Sequence, residues 1–179
     1  MKKILGIFLI SLTISCNTKI EHKSFRKEFN LEETKTLKIA DSIIKSAYYT
    51  TLITLGTNNQ PRARIVEPFL PEKDYTIWMA TNPKSRKVNQ LKNNSKTTLH
   101  YFDKNKLAYV SLMGNAYLIN NDSIKNEKWK DGWEKFYPNK NKDLLLIKFV
   151  PNTLALISIS DGFFGDKITW KPHWVQLRL

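Results

Sequence analysis

Thr81, Lys84, Ser85, Arg86 and Lys87 bring two hydroxyls and three cations together within seven positions, a set of side chains suited to holding a phosphate. Tyr75 to Ala80, just before them, is an apolar run of strand length. Asn82 is placed to cap a helix that opens with Pro83, where a missing N–H costs nothing, and Val88 and Leu91 supply its buried stripe. A helix start exposes unpaired N–H groups and a partial positive charge, and both favour an anion. Spacing alone also fits a capped surface helix with a solvated basic face.

The rest of the chain must position that turn. Seven segments read as strands: Thr50 to Leu55, Arg62 to Phe69, Tyr75 to Ala80, Thr97 to Phe102, Leu107 to Ile119, Leu144 to Val150 and Leu154 to Ile159. Turn chemistry separates them, with Gly56 to Pro61 closing one hairpin and Asp103 to Lys106 another. Asn30 and Glu33 form a capping-box start for a helix that lines up Leu37, Ala40, Ile44 and Ala47 on one face. Further helices are expected from Lys84 to Asn93 and from about Asp122 to Phe136, the latter burying Trp129, Trp133 and Phe136. Meandering antiparallel strands with few helices point to a mainly β, α+β fold, a small antiparallel barrel with flanking helices.

The first fifteen residues read as an export signal, with Lys2 and Lys3 ahead of an apolar stretch from Ile4 to Ile14 that is too short to span a bilayer. Cys16 follows Ser15 directly and resembles the acylated cysteine of bacterial lipoprotein signals, although Thr13 and Ile14 depart from the usual pattern; an ordinary signal peptide or a buried N-terminal strand is the alternative. Residues 16–29 then read as a polar tether and 30–179 as one domain. Cys16 is the only cysteine, so no disulfide or cysteine-based metal site can form within one chain. His22, His100 and His173 lack a metal-ligand spacing, and no metal is expected. The net charge of +13 invites a nucleic-acid partner, but the lysines are scattered and no nucleic-acid module is recognisable. A basic surface near anionic lipid or an acidic polymer is the simpler account, and no nucleic acid is expected as partner.

From Asn59 to Leu118 the residues resemble the FMN-binding split barrel of the pyridoxamine 5′-phosphate oxidase-like proteins, including their general stress protein branch. Gln60-Pro61 followed by Arg64-Ile65-Val66 resembles the strand which that family lays along the flavin. Thr81-Asn82-x-x-Ser85-Arg86-Lys87 continues the likeness through Gln90, Leu91 and Asn94, and Gly114 matches a later glycine. The resemblance implies FMN as cofactor, with Arg86 and Lys87 on its phosphate, Thr81 and Ser85 as hydrogen-bonding partners, and Arg64, Ile65 and Val66 along the isoalloxazine. Ala80 and Tyr109 complete the implied cofactor site, Tyr109 standing where the vitamin-forming oxidases carry a glutamine.

Two further departures set this chain apart. Glu67-Pro68 replaces the apolar pair that usually follows the arginine strand, and the C-terminal Arg-x-His-x-Arg element for a substrate phosphate is missing. The resemblance therefore implies an FMN-dependent oxidoreductase with an unknown small substrate, not a pyridoxamine phosphate oxidase. It also implies a homodimer. The expected location is the bacterial cell envelope, periplasmic or outer-membrane, through acylated Cys16. The alternatives are a non-catalytic envelope module of the same fold holding haem, flavin or another ligand, and a basic module gripping an acidic polymer.

Overall fold

The computed structural model describes residues 27–178, so the expected signal peptide, Cys16 and most of the tether lie outside the described residues. The chain starts against the body of the domain: Phe29 packs on the core, and Lys27 Nζ donates to Glu33 at 2.6 Å and to the Gln176 carbonyl at 2.8 Å. Helix α1 (Leu31–Ala47) opens with the expected capping box. Asn30 Oδ1 accepts from Glu33 N–H at 2.9 Å, while Glu33 Oε2 accepts from Asn30 N–H at 3.1 Å. Its buried face is Thr36, Ala40, Ile43 and Ile44, which packs against the sheet.

Seven strands form one antiparallel sheet: β1 (Thr50–Leu55), β2 (Pro61–Val66), β3 (Ile77–Thr81), β4 (Lys96–Asp103), β5 (Ala108–Ile119), β6 (Leu145–Ser158) and β7 (His173–Gln176). The order β2-β1-β4-β5-β6-β3 leaves β2 and β3 as open edges, and β7 pairs with the second half of β6. This is a split barrel, mainly β with flanking helices. Among the described residues, pairing between the chain leaving β2 and β3 amounts to a single bridge, Pro68 with Met79, with Phe69 N–H donating to the Trp78 carbonyl at 2.8 Å.

Period-2 alternation separates the faces. Leu52, Leu99, Val110, Leu112, Leu154 and Leu156 turn inward to the main core. A second, smaller core of Trp78, Trp133, Leu144 and Leu146 lies on the opposite side of β3 and β6.

β7 lies outside the seven expected strands, β2 ends at Val66 short of the expected Phe69, and three further differences bear on the core and the site. Leu144–Val150 and Leu154–Ile159 are one continuous strand, β6, because Gly114 pairs with Pro151 and Met113 with Thr153, leaving Asn152 as an extra residue in a bulge. The bulge shifts the alternation by one, so the inward set changes from Ile147 and Phe149 to Leu154 and Leu156. A Cβ on Gly114 would overlap the Val150 carbonyl, which is why glycine stands there.

The expected helix from Asp122 to Phe136 is broken into α3 (Asp122–Glu127) and a short 3-10 turn (Trp133–Lys135), separated by Gly132 at φ 86°. Trp133 is buried and Trp129 is partly buried, whereas Phe136 is 72% exposed. The third difference lies at the candidate site.

Candidate functional site

Helix α2 (Arg86–Asn93) begins at Arg86 with Ser85 as its N-cap residue, three positions later than expected. Asn82 caps a turn instead: its Oδ1 accepts from Lys84 N–H at 2.8 Å, and Pro83 belongs to that turn. Ser85 makes no side-chain cap bond, because its Oγ lies 3.0 Å from Thr81 Oγ1. Lys87 Nζ donates to the same Thr81 oxygen at 3.0 Å. Two hydroxyls and an ammonium therefore converge where β3 ends and α2 starts.

Arg64, on edge strand β2, joins this group across the seam. Its Nη1 donates to Thr54 Oγ1 at 2.6 Å and to the Leu52 carbonyl at 3.2 Å, and its Nη2 donates to Gln90 Oε1 at 2.8 Å. Thr54 Oγ1 in turn donates to Gln90 Oε1 at 2.7 Å. All three acceptors are neutral. No carboxylate among the described residues forms an ion pair with Arg64, Arg86 or Lys87.

The electrostatic result is visible on both partly buried cations. Burial, and then the neighbouring Arg86, lowers the pKa of Arg64; burial, and then Arg64, lowers that of Lys87. A cluster that disfavours its own charge in this way is prepared for an anion. Hydroxyls plus a guanidinium and an ammonium are the donors a phosphate monoester requires.

The structure does not bring every expected site residue to this cluster. Leu52 faces Arg64 and Thr51 faces Ile65 in the β1–β2 register, so Arg64 and Val66 point inward while Ile65 points out. Val66 packs against the main core and Ala80 against the second one. Tyr109 lies on the outer face, its ring centroid 5.4 Å from that of His100, whose Nδ1 is 2.8 Å from Ser111 Oγ. The geometry adds Thr54 and Gln90 to the cluster. Thr54 is signalled only by its place on the inward face of β1 beside Leu52, and Gln90 by the family likeness that runs through it.

The fold is an open-edged split barrel, with a cationic cluster where β3 ends and α2 starts. Residues 35–156 match the family model described as "Pyridoxamine 5′-phosphate oxidase like", and the chain belongs to that family.

The fold is similar to a Clostridium acetobutylicum protein related to general stress protein 26, with a TM-score of 0.66, 23% identity, and coverage of 79% of this chain and 94% of that one. It is similar also to a pyridoxamine 5′-phosphate oxidase-related, FMN-binding protein from Nostoc punctiforme, with a TM-score of 0.57, 13% identity, and coverage of 83% and 97%. A haem-binding protein from Mycobacterium smegmatis has a TM-score of 0.57 and 16% identity, covering 77% of this chain and 56% of that one. At these identities the likeness is one of fold. None of the functionally curated proteins matches the chain.

Among the described residues no group of three metal-binding side chains occurs, and no helix is long and apolar enough to cross a membrane.

Proposed function

We propose that the protein is an FMN-binding flavoprotein, an oxidoreductase for a small substrate. The observation that carries this is the cluster of Arg64, Arg86 and Lys87, which has hydroxyls beside it and no carboxylate to neutralise it. Lys87, Arg86, Thr81 and Ser85 would hold the phosphate of FMN. Arg64, fixed by Thr54, Gln90 and the Leu52 carbonyl, adds a positive charge at the seam. Bound FMN supplies the electron-transfer chemistry, and the chain's part is binding, orientation and electrostatics. Membership of a family with FMN-binding relatives supports the same reading. In its full form the proposal includes a homodimer held at the bacterial envelope by acylated Cys16.

The test is a titration of FMN against riboflavin, which lacks the phosphate. Wild type is expected to prefer FMN strongly. Arg86→Ala with Lys87→Ala should weaken FMN by about a hundredfold or more while leaving riboflavin nearly unchanged, from roughly 1.5–3 kcal/mol per charge-assisted hydrogen bond. Equal FMN affinity in a folded double variant would remove the site.

A second reading, a haem-binding module, has His100 in its favour. Its Nδ1 is held by Ser111 and its Nε2 has no hydrogen-bond partner among the described residues. A Soret band in the purified protein, in place of flavin absorption, would select it.

A further inference from the structure

The connection from β6 to β7, residues 159–172, is a loop closed on itself. At its base Ser158 and Phe163 exchange two backbone hydrogen bonds of 2.8 Å. Further out, Trp170 N–H donates to the Asp166 carbonyl at 2.8 Å, and Asp166 N–H donates to the Lys171 carbonyl at 2.9 Å. The Asp166 carboxylate is spent inside the turn: one oxygen accepts from Ile168 N–H at 3.1 Å and from the Thr169 N–H and hydroxyl at 2.8 Å each. Gly165 lets the two limbs close, since a Cβ there would lie 2.7 Å from the Trp170 carbonyl oxygen.

A loop tied this tightly fixes what it presents, and what it presents is apolar. Ile168 is 89% and Trp170 76% exposed, and Phe164 on the same loop is exposed as well. Lys167 precedes Ile168 and Lys171 follows Trp170. Neither lysine forms an ion pair among the described residues. A tryptophan and an aliphatic side chain between two free ammonium groups suit the boundary of a bilayer, where an indole settles at headgroup level and lysine meets lipid phosphate.

The position of the loop in the fold points to the same partner. Lys27 Nζ donates to the Gln176 carbonyl of β7 at 2.8 Å, and Glu32 in the first turn of α1 lies 3.7 Å from Nδ1 of His173, three residues after Trp170. The chain arriving from Cys16 therefore joins the domain close to this loop. Residues 16 to 27 span at most about 40 Å when fully extended. An acylated Cys16 would hold this end of the domain near the bilayer, where high local concentration lets a weak contact form.

We propose that the β6–β7 loop is a membrane-seating surface, with Ile168 and Trp170 entering the interface of an anionic bilayer and Lys167 and Lys171 on its lipid phosphates. It rests on the envelope location proposed above and adds a contact that acylation alone does not require.

The full-length protein should be reconstituted on vesicles of phosphatidylglycerol and a phosphatidylcholine brominated high on one acyl chain, which quenches indoles that reach it. Wild-type fluorescence is expected to be quenched, and the quenching to fall at least about twofold in Trp170→Phe, which removes one of five tryptophans. Ile168→Asp should lose the same part of the signal, as should Lys167→Glu with Lys171→Glu; all these side chains are exposed, so the variants should fold normally. A protein that stays on the vesicles without bromine-dependent quenching overturns the loop and leaves the anchor standing. Quenching at Trp170 in a protein whose residue 16 carries no acyl chain keeps the loop and overturns the anchor. Equal quenching in wild type and Trp170→Phe would also overturn the proposal. So would a dimer that Ile168→Asp converts to a monomer in light scattering, which would make the loop a surface between copies of the chain.

Discussion

Lys87 carries the sharpest consequence at the scale of single residues. Its folded pKa is lowered by burial and by Arg64, so in the cofactor-free protein the charged form is disfavoured relative to the unfolded chain. The unfolded state therefore binds more protons between the lowered and the ordinary lysine pKa, and stability of the free protein rises with pH across that window. Below it, both states are protonated and the folded state carries the full strain. Replacing Lys87 by Met is expected to raise the melting temperature of the cofactor-free protein at neutral pH, while reducing its FMN affinity. The FMN-to-riboflavin affinity ratio should fall as pH approaches the lowered lysine pKa in wild type, and lose that alkaline limb in the Met variant. A ratio that stays flat in wild type would show that the ammonium is not on the phosphate.

Among the elements, β5 and β6 depend on a contact that tolerates no side chain. Gly114 faces Pro151 at the bulge, and a methyl there would overlap the Val150 carbonyl, a backbone atom that cannot swing aside. Gly114→Ala is expected to destabilise the protein by about 1–3 kcal/mol, read as a lower denaturation midpoint with an unchanged slope. The bulge does more than relieve crowding. By shifting the alternation of β6, it lets the first half of that strand pair with β3 and the second half with β7 while both halves supply the main core. A regular β6 would turn Leu154 and Leu156 out of that core, one residue of slip being enough to exchange the faces.

For the whole molecule, the outer face of the sheet is the feature that a solitary chain leaves unexplained. Across it run Ile65, Thr51, His100, Ser111, Ala155 and Trp174 in direct register, with Phe102 and Tyr109 paired in the row beside them. Ile65 is 66% and Phe102 59% exposed, side chains that monomers usually cover when they are grouped. In the proposed homodimer this face is covered, so Ile65→Glu is expected to convert a dimer to a monomer in light scattering. A wild type that is already monomeric at micromolar concentration would refute the arrangement. The envelope proposal is checked separately. Cys16→Ser should release the protein into the soluble fraction or leave its leader uncleaved, whereas wild type should stay with membranes through a wash in about 1 M salt, where charge attraction is screened within a few ångströms.

Local chemistry was enough for most of the elements and for the Thr81–Lys87 stretch of the candidate site. Asn30 and Glu33 close a capping box three residues apart, the alternation of Thr50–Leu55 marks two faces, and Thr81, Ser85 and Lys87 meet because a strand end and a helix start lie next to each other in the chain. Only the tertiary structure decided the rest. Arg64 reaches the cluster through Gln90, 26 positions away, because α2 packs against β1, the strand that β2 pairs with. Asn82 lost its expected cap role to a turn ending at Ser85, its side chain accepting from Lys84 N–H and its carbonyl from Ser85 N–H. A cavity of about 500 Å³ walled by Tyr48, Phe69 and Trp78 draws on α1, the β2–β3 connection, β3, β4 and the segment after α3, none of which signals it alone. Periodicity tells a residue which face it occupies, but which distant face it meets depends on strand order and on a single bulge.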